Sequence, residues 1–412
     1  MKNKVKEVLY LSYTGMTDPL GQSQVLPYLN GLIKTGNYKF VLVSFEKAKN
    51  FAQLGDQIRE YCSRAGITWH PLSYTARPPV WSTFRDVQRM KKLTEKLARE
   101  HSFSLIHCRS YIAALAGQHL KNKFSIPFLF DMRSFWADER VEGGLWSLSN
   151  PLYKVIYKYF KIKEKQFLQQ SDHIISLTHN AKKEILSWKF KSPLAPISVI
   201  PCCVDIEMFD PSTIIEEQRI EAYNSLRIPV GTTVISYLGS VGTWYMLNEM
   251  LAFVKKYQES NPGTYFMILT HEPESIITEA AASANLDVSF LRIKKIQRRE
   301  VPAYLSISKF SLFFIKPVFS KKASSPVKQA EIMAMGIPVV CNDGIGDTTE
   351  IVEKSSAGYV IREFTEIAYD KVINELQAAS FDRSEIRKGA VDYFSLFKGI
   401  SLYESVYTQI IK

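Results

Sequence analysis

The chain is predicted to fold as two doubly wound α/β domains, each an open parallel sheet with helices on both faces. Three observations predict this. Short apolar runs alternate with longer amphipathic ones along almost the whole length, the pattern of parallel strands covered by crossover helices. The series of runs stops near residue 202 and restarts near 233, and 412 residues exceed the ~250–300 that one hydrophobic core organises. Glycine-bearing loops follow the apolar runs, where an open α/β sheet places its ligand.

In chain order, strands are expected at 7–13, 39–46, 67–74, 104–109, 126–131, 173–178 and 197–201. Helices are expected at 22–35, 54–65, 83–101, 111–122, 152–170 and 179–188. The second series of strands is 233–239, 265–270, 288–292, 311–315, 338–341 and 358–361. Between the two, residues 202–232 carry Asp210-Pro211, a charged helix-like piece and Pro229-Val230-Gly231, which mark a junction. The expected domains are 1–205 and 206–390, with 391–412 as a terminal helix.

Hydrophobic content of 46% and charged content of 23% are those of a globular protein, and the many tyrosines and phenylalanines exclude a disordered one. The net charge of +11 is uneven: residues 1–200 hold 30 Lys+Arg and 15 Asp+Glu, while the remainder holds 22 and 26. The basic half suits an acidic surface or substrate, which leaves nucleic acid, anionic lipid and a pyrophosphate-bearing acceptor open. Cys62, Cys108, Cys202, Cys203 and Cys341 are odd in number and show no CxxC spacing, arguing for a reducing compartment and against zinc. The apolar run near the start is too short for a signal peptide, and no segment approaches the ~18–20 apolar residues of a membrane span. A cytoplasmic location is expected.

The densest chemistry lies in Lys321-Lys322-Ala323-Ser324-Ser325-Pro326-Val327-Lys328-Gln329-Ala330-Glu331. Ser324 or Ser325 is placed to N-cap a helix, Pro326 suits its first position, and Gly336 before Pro338 ends it. The N–H groups and dipole at that end favour an anion. Lys328 in the first turn, with Lys321 and Lys322 upstream, is therefore at the electrostatically wrong end unless an anion lies between. Glu331 lies on nearly the same face as Lys328 and is placed to accept from sugar or ribose hydroxyls. These residues read as a nucleotide-diphosphate pocket; the bland alternative is a solvated basic loop with a Lys–Glu surface pair.

Other loops after strands add candidates. Gly15 and Gly21 permit close backbone approach, and a helix beginning near Gln22 offers N–H groups to a phosphate or sugar. Asp131, Arg133, Asp138 and Glu139 crowd charge and aromatic rings at a strand end, either as a salt-bridge cluster or as an acceptor or donor site. Gly239-Ser240-Val241-Gly242-Thr243 resembles a phosphate-facing turn but lacks both GxGxxG and GxxxxGK[ST] spacing. Lys316 and the loop Gly344–Glu350 end two further strands. On the helix 152–170, Lys154, Lys158, Lys161 and Lys165 form one stripe, with Leu152, Ile156, Tyr159, Phe160 and Phe167 expected on the opposite, packed face. That stripe is either solvated or in contact with anionic head groups.

In order and placement, DPLGQSQVLPYLNGL, FDMRSFWADERVEGG, SDHIISLT, VIPCCVDIEMF, YLGSVGTWY and SSPVKQAEIMAMGIPVV resemble the retaining GT-B glycosyltransferases of family 4, bacterial polysaccharide-assembly branch. The resemblance covers most of the chain. It implies two facing Rossmann-like domains: an acceptor-side N-terminal one and a nucleotide-sugar-binding C-terminal one. It also implies a last helix, here 395–411, crossing back to the first. Two departures stand out. The family's paired glutamates fall at Ala323 and Glu331, so only the second, implied to hold ribose hydroxyls, is present. The usual Arg and Lys after the first strand of the second domain fall near Ser240 and Thr243, which leaves the diphosphate to Lys321 and Lys328. Cys202-Cys203 replaces the usual Asn-Gly.

The leading expectation is a metal-independent glycosyltransferase without cofactor. It would move a sugar, with retention, from a nucleotide diphosphate (UDP expected) to a hydroxyl of a lipid-linked oligosaccharide in cell-surface polysaccharide synthesis. Lys328, Lys321 and Glu331 carry the chemistry, and Asp138 or Glu139 orients the acceptor. Gly15, Gly21, Gln22, Gly239, Ser240, Gly242, Thr243, Lys316, Ser324 and Ser325 complete the donor side. The enzyme is expected to sit peripherally at the inner face of the cytoplasmic membrane. A nucleotide-sugar epimerase is the alternative on the same fold. A non-enzymatic basic nucleic-acid-binding or assembly protein is the distant one, and no nucleic-acid motif supports it.

Overall fold

The computed structural model describes residues 5–190 and 192–411, which divide into two compact units, Met1–Pro201 with Leu396–Lys412, and Cys202–Ser395. In the first unit β1 (Lys6–Ser12), β2 (Tyr38–Glu46), β3 (Ile67–Ser73), β4 (Leu105–Arg109), β5 (Phe128–Asp131), β6 (His173–Ser176) and β7 (Ile197–Val199) form one parallel sheet in the order β3-β2-β1-β4-β5-β6-β7. Central strands read as unbroken apolar runs because helices cover both faces: Val8, Leu9 and Leu11 of β1 are wholly buried. Val8 pairs with Phe40 on one side and Leu105 on the other.

The second unit holds β8 (Val234–Leu238), β9 (Tyr265–Leu269), β10 (Leu291–Lys294), β11 (Phe310–Phe313), β12 (Val339–Asn342) and β13 (Gly358–Ile361), in the order β10-β9-β8-β11-β12-β13. The two doubly wound sheets confirm the expected fold class. Each sheet reverses its strand order once, at β1/β4 and at β8/β11. Loops leaving the carboxyl ends of those strands are where such a sheet binds ligands.

Some boundaries differ from expectation, each for a local reason. β10 begins at Leu291 because Asp287 accepts the Ser289 N–H at 2.8 Å and starts a 3-10 turn over Val288–Phe290. The helix expected at 22–35 is two, Pro19–Gln24 and Leu26–Lys34, broken at Val25 where Pro27 enters the second position of a new helix. The last helix, Leu396–Ile410, belongs to the first unit, where it packs on the Leu26–Lys34 helix and buries Tyr403 and Tyr407.

Candidate functional site

In the second unit the candidate site grows from the reversal point between β8 and β11. β8 runs into Gly239, whose φ of +118° suits glycine and whose N–H donates to the Leu269 carbonyl at 2.9 Å. A Cβ there would lie 3.0 Å from Lys328 Nζ, so glycine also makes room for that lysine. The chain turns through Gly242 and Thr243, the latter at φ +41°, and is tied down by Lys316 N–H on the Trp244 carbonyl at 2.8 Å and Met246 N–H on the Phe314 carbonyl at 3.0 Å. These bonds hold Trp244 and Tyr245 against the segment that follows β11.

Both aromatic rings meet a lysine. Lys328, in the first turn of the Val327–Ala334 helix, is buried with its Nζ 4.2 Å and 3.7 Å from the ring centres of Tyr237 and Tyr245, and donates to the Tyr237 hydroxyl at 2.9 Å. Lys321 is buried too, its Nζ 3.7 Å from the centre of the Trp244 ring. Burial pushes the Lys328 ammonium well below its ordinary pKa, with Glu331 opposing. Ring faces offset part of that cost through their quadrupoles. Lys328 is thus held by a hydroxyl and two rings, none of them an anion, beside a helix start that no side chain caps. That combination is complementary to a diphosphate.

Glu331 lies one turn further along the same helix, buried and paired with Arg298. Burial raises its pKa, while Arg298 and then Lys328 pull it down. Arg298 also sits 5.3 Å from the Phe209 ring centre. It was not among the expected site residues; the clue was a basic run, Lys294, Lys295, Arg298 and Arg299, that begins at the last residue of β10.

Several expected roles are corrected. Neither Ser324 nor Ser325 caps the helix: Pro326 occupies the N-cap position, and the Ser325 hydroxyl accepts the Cys202 N–H at 3.1 Å. Ser240 donates to Glu272 at 2.6 Å, so the turn after β8 brings a carboxylate rather than a cation. Lys316 is exposed, unlike the two buried lysines. The loop after β12 joins the cluster through Gly346, whose N–H donates to the Lys321 carbonyl at 2.8 Å.

In the first unit, two amides of the loop after β1, those of Met16 and Thr17, are taken up within the protein. Glu46, at the end of β2, accepts from Met16 N–H at 2.8 Å, Thr17 N–H at 3.0 Å, the Thr17 hydroxyl at 2.6 Å and the Ser44 hydroxyl at 2.6 Å. A carboxylate therefore organises this turn from within. Gly15 and Gly21 serve this packing, since a Cβ would meet Glu46 Oε2 at 2.6 Å and the Gly15 carbonyl at 2.1 Å respectively. Gln22 donates to the Thr17 carbonyl at 3.2 Å.

The charged groups of the loop after β5 are largely turned on one another, although buried Asp131 Oδ1 has no hydrogen-bond partner among the described residues. Asp131 is fully buried, 3.7 Å from Arg133 and 3.4 Å from His107, and accepts from Tyr403 at 3.2 Å; His107 meets the Tyr407 hydroxyl at 2.7 Å. Against burial, Arg133 and His107 hold the Asp131 carboxyl below its ordinary pKa. Asp131 and Arg133 thus help seat the last helix. Asp138 accepts from Tyr157 at 2.7 Å and Lys161 at 2.8 Å, and Lys161 pairs also with buried Glu164. Against burial, Glu164 and Asp138 keep the Lys161 ammonium above its ordinary value. Lys161 therefore leaves the expected lysine stripe, and both Asp138 oxygens are engaged. Glu139 is half-buried.

Two family models match, Glycosyltransferase Family 4 over residues 41–208 and Glycosyl transferases group 1 over residues 218–390, and together they take in most of the chain. The chain belongs to the GT-B glycosyltransferases. Among solved structures, a glycosyltransferase from Rickettsia africae is 14% identical, with 99% of each chain covered and a TM-score of 0.72. Sucrose-phosphate synthase from Thermosynechococcus elongatus is 14% identical, with 98% of this chain and 99% of that one covered and a TM-score of 0.72. HepE of Anabaena in complex with UDP-glucose is 12% identical, with 98% and 99% covered and a TM-score of 0.68. At these identities the likeness is one of fold. No curated protein matches the chain in sequence.

In this glycosyltransferase the position of the family's first glutamate is Ala323, which is buried and offers no polar group. The next residue, Ser324, donates its N–H to the Lys321 carbonyl at 3.0 Å. The buried cations on either side of that position in the sequence are Lys321 and Lys328.

Proposed function

We propose that this glycosyltransferase moves a sugar from a UDP-sugar to a hydroxyl of a lipid-linked oligosaccharide, with retention of configuration, in the synthesis of a cell-surface polysaccharide at the inner face of the cytoplasmic membrane. The observation that carries the donor reading is Lys328, buried against Tyr237 and Tyr245 at an uncapped helix start, with Glu331 one turn on. UDP and UDP-glucose bound to the Anabaena protein of like fold support the choice of nucleotide. As the bond from the anomeric carbon to the diphosphate breaks, negative charge grows on the leaving phosphate, and Lys328, Lys321 and the helix N–H groups stabilise it. The acceptor oxygen forms the new bond on the same face, and its proton passes to the leaving phosphate.

These groups supply the charge that a divalent cation supplies elsewhere, so turnover should persist in excess chelator. Activity lost to chelation and restored by magnesium or manganese would defeat the metal-free mechanism. Glu331 is read as the acceptor for ribose hydroxyls once Arg298 yields. Glu331→Gln should weaken UDP binding by roughly 1–3 kcal/mol, measured by calorimetry. Unchanged affinity in the folded variant would remove Glu331 from the pocket. A thermal-shift screen of nucleotide sugars identifies the donor. UDP release that depends on added acceptor separates transfer from epimerisation, which needs no acceptor.

A further inference from the structure

We propose that the Pro151–Gln170 helix, with the stretch before it, is a membrane-docking surface that seats apolar side chains in an anionic bilayer and sets its lysines against the lipid phosphates. The proposal rests on the reading above only for its occasion, the lipid-linked acceptor.

The helix was expected to pack its apolar residues inward and show its lysines to water. Instead its buried face is narrow, Phe160, Glu164, Phe167 and Leu168. Leu152, Val155, Tyr159 and Ile162 are 55, 65, 45 and 58% exposed. Their spacing of three, four and three residues makes one outward stripe. Leu145 and Leu148, also exposed, extend it ahead of the N-cap Asn150. Single exposed apolar residues are ordinary on a protein surface, whereas a continuous row marks an interface.

The charges beside the row select the partner. Lys154, Lys158 and Lys165 are exposed on the adjoining arc, and Lys163 reaches over the Tyr159 ring from the other side. The only acidic residue of this helix, Glu164, is buried on Lys161. The helix's own exposed residues are therefore apolar, cationic or neutral polar, with no carboxylate. A second copy would bring lysine against lysine, while an anionic bilayer satisfies both arcs, with acyl chains for the row and phosphates for the lysines. Exposed Trp81 and Phe84 open the Trp81–Glu100 helix, which packs on the Ser110–Phe124 helix as Pro151–Gln170 does, and such rings suit the head-group level. Among the described residues no helix is long and apolar enough to cross a membrane, so the mode is docking in the interface.

The test is flotation of the full-length protein with phosphatidylcholine vesicles with and without phosphatidylglycerol, at low and high salt. The parent should bind anionic vesicles and keep a salt-resistant fraction. The triple variant Leu152→Ser, Val155→Ser, Ile162→Ser should lose that fraction and bind about ten-fold or more weakly at low salt. The triple variant Lys154→Glu, Lys158→Glu, Lys165→Glu should lose the preference for phosphatidylglycerol. Apolar-variant binding equal to the parent's would overturn the proposal, as would a parent dimer that this variant splits without vesicles. Neither triple touches the lysine pocket, so UDP release with a water-soluble acceptor should be retained in both. Absence of that turnover in the parent as well would count against the transfer reaction and not against the docking surface.

Discussion

Lys328→Met should lower turnover by about two to three orders of magnitude while weakening UDP binding much less. Methionine keeps most of the volume between Tyr237 and Tyr245, so the change removes charge without opening the cavity that alanine would leave. Oxyanion-type stabilisation matters most when charge is still growing, and a loss confined to turnover is its signature. Equal losses in affinity and turnover would show simple ground-state binding. The buried setting adds a pH prediction. In the empty pocket burial holds the Lys328 pKa well below its ordinary value, and a bound diphosphate raises it. Binding then takes up a proton: UDP affinity is greatest below the free-enzyme pKa and falls as pH rises from there to the bound pKa. Calorimetry in buffers of different ionisation enthalpy measures that uptake directly. Lys328→Met should abolish it, and uptake that survives the substitution would belong to another group.

Both sheets were legible in the sequence because parallel strands buried on two faces must be apolar throughout, and such runs stand out wherever helices separate them. The lysine pocket was legible for a different reason, since cations clustered at the start of a helix conflict with its dipole unless they serve an anion. What holds those lysines was not legible. Trp244 and Tyr245 read as part of a glycine-bearing turn, and only the bonds to Phe314 and Lys316 show their rings turned onto Lys321 and Lys328. Arg298 and Glu331 are 33 residues apart and meet only through the sheet. Asp138 and Lys161 were assigned to two separate functions, yet they satisfy each other across 23 residues. Helical periodicity put Leu152 and Tyr159 on one packed face with Phe160 and Phe167, whereas the first two are exposed. Which side packs is set by the Ser110–Phe124 helix, against which only the Phe160–Phe167 side closes.

Glu46 is the residue that sequence reasoning passed over, a lone carboxylate at the end of YKFVLVSFE, and its removal should have the largest effect on stability. It is 3% exposed and accepts from two backbone amides and two hydroxyls. Glu46→Ala leaves those four donors buried without an acceptor, and at ~1–3 kcal/mol for each unsatisfied group, discounted for relaxation and entering water, the first unit should lose about 3–5 kcal/mol. Glu46→Gln keeps one acceptor oxygen but turns an amide toward donors that already point at it, so it should recover only part of that loss. The decisive readout is local. Amide exchange at Met16 and Thr17 should be slow in the parent and should accelerate in Glu46→Ala to the rate of an open loop. UDP affinity should barely change, because the proposed UDP pocket is built from residues of the second unit. Unaltered protection at Met16 and Thr17 would show that another group accepts these amides and that Glu46 does not organise the loop. If UDP affinity fell in step with the lost stability, the loop after β1 would take part in donor binding.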